Sequence, residues 1–260
     1  MSAVTIALIL AALAPEPRAT GRPFVDHFAA LDTTRWFVSS GWSNGPWYLN
    51  DWQATQIAQT RPGLDVTLTK SATYAGGYTS GEIQSRNYYR YGYFEISLQA
   101  ARGDGVINGF FTYTGAPRGR PWNEVDVEIL GKNTRAVQVT YHTEAGSWTK
   151  ILPLGFDSSE GQHIYAFDRQ PTYVRWYVDG VLIHEETGPN LAQLNESQQL
   201  MFQLWATDSN PGWAGIFKWQ GAPLVARIGC MAAAPERPAA PLCQAQQRDS
   251  ARASGARRIH

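Results

Sequence analysis

Charge is sparse in this chain. Of its 260 residues only 17% are charged, and 22 Lys and Arg balance 22 Asp and Glu to a net charge of zero. Such a chain carries no basic field for a phosphate backbone or an anionic membrane, so neither nucleic acid nor a membrane is expected as partner. A neutral polymer is the compatible ligand. Cysteine is scarcer still, with Cys230 and Cys243 alone. In a secreted protein the two could close a small loop, and two free thiols is the other reading. No long Gly/Ser/Pro linker divides the middle of the chain, which therefore reads as one domain large enough for a substantial core. Long apolar runs are missing too. The run over residues 3–14 is too short to span a bilayer and reads as a secretory signal peptide. No Lys or Arg precedes it, and Pro15 follows the small residue Ala14, so Ala19 is the alternative cleavage point. Residues 1–19 are assigned to the leader, 20–230 to the domain and 231–260, rich in Ala, Pro, Gln and Arg, to a disordered tail. The mature protein is expected to be secreted or periplasmic, and a monomer.

What is abundant is aromatic: ten Trp and twelve Tyr. Trp36 and Trp176, each beside other apolar residues, read as core. Others suit a carbohydrate groove, because the C–H faces of a pyranose are apolar while its hydroxyls need hydrogen-bond partners.

The stretch Asn123-Glu124-Val125-Asp126-Val127-Glu128-Ile129-Leu130 alternates acid and aliphatic with a period of two. As a strand it sends Glu124, Asp126 and Glu128 to one face and Val125, Val127 and Ile129 to the other. Neighbouring carboxylates would then lie only about 6.6 Å apart along the backbone. Folding alone has no use for that repulsion, and Val or Ile would favour the strand more. Hydrolysis of a glycosidic bond does have a use for it, needing a nucleophile, an acid/base and a group that tunes both. Two long Glu side chains leaning together could approach the separation of about 5 to 5.5 Å that a retaining mechanism requires.

Glu124-Val125-Asp126-Val127-Glu128, followed by Ile129-Leu130-Gly131-Lys132, resembles the E-x-D-x-E signature of glycoside hydrolase family 16, in the uninterrupted form typical of its lichenases. Phe110 to Gly115, Val137-Gln138, Leu154 to Asp157, Tyr165 to Asp168 and Trp176 to Val181 are similar to the same group, over roughly residues 24 to 228. The resemblance implies an all-β fold, a two-sheet antiparallel sandwich of the jelly-roll type with a concave cleft. It implies an endo-acting retaining β-glucan hydrolase with Glu124 as nucleophile, Glu128 as acid/base and Asp126 assisting. A polysaccharide is the implied partner. Many members hold a structural calcium with an Asp near the last strand. Gly229 stands there in this chain, so no cofactor is expected.

Contacts to substrate are expected on the same face. Trp122, two residues before Glu124, shares its parity and is similar to a Trp that stacks under a sugar. Gln138, Thr140 and His142 share a face of the next strand, with His142 placed to hydrogen-bond Asp126 or Glu128. Gln203 and Trp205 alternate away from Phe202 and Leu204, facing the cleft if the register follows the family. Glu82 resembles a cleft-lining acid. Asn44 and Trp47, in a turn-rich segment, are either sugar contacts or loop packing. Lichenases commonly carry Arg where Gln84 stands, and Asn, Tyr and Asn where Thr140, His142 and Gln203 stand. These departures keep a second reading open, a depolymerase of a bacterial exopolysaccharide such as succinoglycan. A lectin-like module is the reading from another class, but it has no use for an intact carboxylate trio. Transglycosylation would use the same groups.

Overall fold

The period-two segments of the sequence become strands wherever one face can be buried. The computed structural model describes residues 21–61, 63–74 and 76–244; the assigned leader and residues 245–260 of the assigned tail lie outside them. In chain order the strands are β1 (Phe24–Asp26), β2 (Trp36–Val38), β3 (Asn50–Trp52), β4 (Ile57–Thr60), β5 (Gly63–Lys70), β6 (Tyr78–Ser80), β7 (Glu82–Tyr89), β8 (Gly92–Gln99), β9 (Val106–Thr114) and β10 (Asn123–Leu130). They continue as β11 (Ala136–Thr143), β12 (Gly146–Pro153), β13 (His163–Gln170), β14 (Tyr173–Val178), β15 (Val181–Glu186), β16 (Gln198–Ala206) and β17 (Leu224–Ala234). Seven form one sheet in the order β12-β11-β10-β9-β16-β7-β2, with the acidic strand β10 third from one edge. The other sheet runs β15-β14-β13-β8-β17-β5-β6-β3, with β1 on β17 and β4 on β5. The pairing is antiparallel except for β3 and β6, which run parallel.

Between the sheets lies the core. Val125, Val127 and Ile129 are buried there, each contributing about 1.5 to 3 kcal/mol of apolar burial, so the aliphatic half of the alternation anchors the acidic half. Trp36 and Trp176 are core residues, as expected. Trp176 also crosses the sandwich, its indole N–H donating to the Asp126 carbonyl at 3.0 Å. In this way the opposite sheet holds β10 from behind.

The assignment of the tail needs correction. The chain does not lose order at 231: Met231 to Ala234 complete β17, and Cys243 is buried and joined to Cys230 by a disulfide. The Cys243 N–H donates to the buried Glu95 carboxylate at 2.6 Å. Three consecutive alanines gave no hydrophobic periodicity, yet small side chains are what a strand covered on both faces can hold. Gly229 sits where β17 shifts register, and a Cβ there would come within 2.2 Å of the Gln162 side chain. A glycine there supplies no side-chain oxygen to hold a calcium ion.

Candidate active site

Strand register lays the polar residues out in rows across the seven-stranded sheet. Glu128 pairs with Gln138 on β11 and Gly109 on β9, and Gly109 in turn faces Gln203, which faces Glu82. Asp126 pairs with Thr140 and Phe111, and the row continues through Met201 to Gln84. Glu124 pairs with His142 and Tyr113. Residues far apart in sequence thus reach one face because the side-chain period is two on every strand.

The three carboxyls differ in their surroundings. Asp126 is the most deeply buried, at 5% exposure, between half-buried Glu124 and Glu128. Glu124 accepts the indole N–H of Trp122 at 2.6 Å and shares a hydrogen bond with Asp126. Burial first, then the Asp126 charge, raises Glu124 well above the usual carboxylate range, against the pull of His142 and Trp122. Burial and the Glu128 charge raise Asp126 in the same way. Glu128 is pushed up to about 7, by burial and then the Glu124 charge, while Gln138, donating its amide N–H at 2.5 Å, pulls it down. Three such groups cannot all ionise together. A buried carboxyl that is half protonated near neutral pH can give a proton to a leaving oxygen and take one from water.

His142 lies opposite Glu124, its Nε2 3.4 Å from Asp126 Oδ2 and its Nδ1 bonded to the Ser147 hydroxyl. Its ring stacks on Trp122 with centroids 4.5 Å apart, which fixes the indole that serves Glu124. The Trp122 backbone N–H is held in turn by Glu144 at 2.5 Å.

From Glu124 a groove of about 960 Å³ extends over β9, β16 and β7 to the loop at 42–48. Asn44, Trp47, Glu82, Gln84, Trp122 and Gln203, all anticipated, line it. Trp47 and Trp122 are 62% and 41% exposed, so Trp47 and the face of Trp122 turned away from His142 are free for an apolar partner. Glu82 lies beneath the surface at 0% exposure, accepting from Ser39 at 2.6 Å, Gln84 at 2.7 Å and Asn44 at 3.4 Å. Burial raises it above the ordinary carboxylate range, and those donors oppose the rise.

Besides His142, three anticipated residues lie outside the groove lining. Gln138 is bridged between Glu128 and the Trp213 indole N–H, which it accepts at 2.9 Å. Thr140 is buried against Thr149. Trp205 has the groove-facing parity, but Tyr48 stacks over it at 4.2 Å and Trp213 at 5.9 Å, so it is covered and reads as support rather than contact.

Sequence reasoning missed Trp42, Tyr48, Phe111, Tyr113 and Arg118 in the groove lining. Strand β9 is apolar on both faces, with no alternation to separate them. Its side chains are largely covered, yet Phe111 and Tyr113 form groove floor. A strand apolar on both sides gives no parity signal, although Tyr113, pairing with Glu124, could have been found from the register.

Among relatives, a beta-glucanase of Paenibacillus polymyxa is 38% identical over 199 residues, 76% of this chain and 82% of its own length. An endo-1,3-1,4-beta-glycanase, ExoK, of Rhizobium meliloti is 36% identical over 202 residues, 76% and 74% of the two chains. In three dimensions a Bacillus licheniformis beta-glucanase superposes with a TM-score of 0.77 at 34% identity, covering 83% of this chain and 99% of the other. The family model for glycosyl hydrolases family 16 matches residues 44–221, a span containing the whole acidic row and most of the groove lining. With the sandwich, the row and the groove in agreement with that match, the chain belongs to glycosyl hydrolases family 16 and is a glycoside hydrolase.

Proposed function

We propose that this protein is an endo-acting, retaining hydrolase of mixed-linkage 1,3-1,4-β-glucan. The observation that carries the reading is a row of three mutually interacting carboxyls whose first member, Glu124, lines a long groove walled by exposed indoles. A groove lets a polymer lie across the row at any point of its length, which suits internal cleavage. The names of the beta-glucanase and endo-1,3-1,4-beta-glycanase relatives support the linkage.

In this reading one proton is shared by Glu124 and Asp126 across their hydrogen bond, and it passes to Asp126 as Glu124 attacks. Glu124, with donors on both sides, attacks the anomeric carbon as an anion. Glu128 delivers its proton to the departing glycosidic oxygen, and a glycosyl ester of Glu124 forms. Esterification removes the Glu124 charge that had raised Glu128, so Glu128 becomes a base. It takes a proton from water, the water oxygen bonds to the anomeric carbon, and Glu124 leaves as carboxylate with overall retention. The acid, base and nucleophile are all side chains, so no cofactor enters. The Cys230–Cys243 bridge favours an oxidising compartment and supports action outside the cytoplasm, secreted or periplasmic, as a monomer on its polymer.

The test is incubation of the purified protein with lichenan, laminarin and succinoglycan, with sizing of products and NMR of the first-formed anomer. Lichenan is expected to shorten rapidly into a few β-anomeric oligosaccharides. Cleavage of succinoglycan alone would move the assignment to the exopolysaccharide reading, and an α-anomeric first product would overturn retention.

A further inference from the structure

Among the described residues lining the groove, Arg118 is the one cation. It ends the short 3-10 turn Ala116–Arg118 in the loop between β9 and β10. The turn is anchored by its backbone, Arg118 N–H donating to Gly115 O at 2.8 Å and Gly119 N–H to Ala116 O at 2.9 Å. From there the guanidinium reaches the floor at β7. One Nη donates to the Tyr88 hydroxyl at 3.2 Å and the other to the Gln84 side-chain oxygen at 3.2 Å. With its oxygen taken, the Gln84 amide must turn its nitrogen the other way, and that nitrogen donates to Glu82 at 2.7 Å and to Ser39 at 3.1 Å. The second Glu82 oxygen accepts from the Asn44 amide nitrogen at 3.4 Å. Asn44 is oriented from its other end by the Trp52 indole, which donates to its oxygen at 3.1 Å.

The last links of this chain are its loosest. The Asn44 nitrogen makes two long contacts, 3.4 Å to Glu82 and 3.5 Å to Gln203, near the limit at which a hydrogen bond retains strength. A sugar oxygen arriving at 2.9 Å would improve on either. Asn44 is exposed in the groove, whereas Glu82 beneath it is not. Strand β7 is three strands from β10, about 14 Å, so the amide is placed against a sugar unit remote from the bond being cleaved.

We propose that Arg118 is a specificity-determining positioning residue: through Gln84 and Glu82 it holds the Asn44 amide in the orientation that reads a hydroxyl of a neutral sugar unit. The proposal rests on the groove being the glucan site. Binding at such a distance acts on ground state and transition state alike, so its loss raises KM and leaves kcat.

The experiment is a double-mutant cycle of Arg118→Met, Gln84→Met and the pair, read as kcat and KM on lichenan. Binding of a mixed-linkage oligosaccharide is followed in parallel by tryptophan fluorescence, since Trp42, Trp47 and Trp122 line the groove. Each single variant is expected to raise KM and the dissociation constant about tenfold, the worth of one charge-assisted hydrogen bond, with kcat within about twofold. The double variant should be no worse than either single one, because the two residues act in series, and Arg118→Lys should restore part of the loss.

A pH readout separates this from a purely structural effect. Glu82 faces the Arg118 charge and the Tyr48 hydroxyl. Removing the cation raises Glu82 further, so the acid-side weakening of binding should begin at a higher pH in Arg118→Met. Unchanged affinity, additive effects in the pair, or a fall in kcat alone would each overturn the proposal, and if Arg118→Met does not fold, Gln84→Met tests the same link. A parent protein that neither binds nor cleaves the glucan would defeat the substrate reading instead.

Discussion

The two sides of β10 use similar polar residues to opposite ends. Toward β9, β16 and β7 the sheet opens into the groove, with indole faces exposed and the amide of Asn44 held by long contacts. Toward β11 and β12 the polar groups are already engaged: Gln138 with Glu128 and Trp213, Thr140 with Thr149, His142 with Ser147 and Trp122. One side can receive a ligand, while the other adjusts the carboxyls between them. Substitutions on the open side should therefore act on affinity, and those on the closed side on the rate and its pH dependence.

Substitutions in the row itself should be the most severe. Glu124→Gln keeps size and an acceptor for the Trp122 indole but cannot form the ester, so kcat on lichenan should fall by about 10⁴-fold or more while oligosaccharide binding persists. Full activity in that variant would remove Glu124 from its role and reopen the comparison. Glu128→Gln is expected to cost about 10² to 10⁴-fold, the range of general acid catalysis. It should also abolish the alkaline limb, because the proton whose loss defines that limb is gone. A persistent limb in Glu128→Gln would assign it to another group.

On the open side, Trp47→Ala should raise KM about two- to twelvefold, matching an aromatic contact of about 0.5 to 1.5 kcal/mol, with little change in kcat. Trp47 is too exposed for its loss to unsettle the core, so a large fall in thermal stability would mean that the loop at 42–48 is held by it, and the division between the two sides would blur.

The alternation in β10 disclosed both faces of that strand before any coordinates, and the parity of Trp122, Gln138 and His142 followed from the same rule. Parity says which face a residue joins, but not what covers it. Trp205 obeys the rule and still lies under Tyr48 and Trp213, contributed by segments about 160 residues apart whose meeting no local pattern records. Arg118 was illegible for the same reason, since its partners on β7 precede it by some 30 residues across an intervening strand. The end of β17 was missed because alanine carries so little hydrophobic signal that a doubly covered strand resembles a polar tail.

The finest test of the comparison lies on the closed side, at Gln138. Its amide N–H stabilises the ionised form of Glu128, so Gln138→Leu should raise Glu128 above about 7, the value at which the row now holds it. Since Glu128 must be protonated to serve as acid, activity is lost as pH rises through its pKa, and removing the donor moves that loss to higher pH. A hydrogen bond to a charged group, at about 1.5 kcal/mol, corresponds to roughly one pH unit. The acid limb, which reports Glu124, should move less because Gln138 does not touch that group. KM should change little, for Gln138 belongs to the tuning side. A rise in KM without displacement of the alkaline limb would instead make Gln138 a sugar contact and extend recognition across β10.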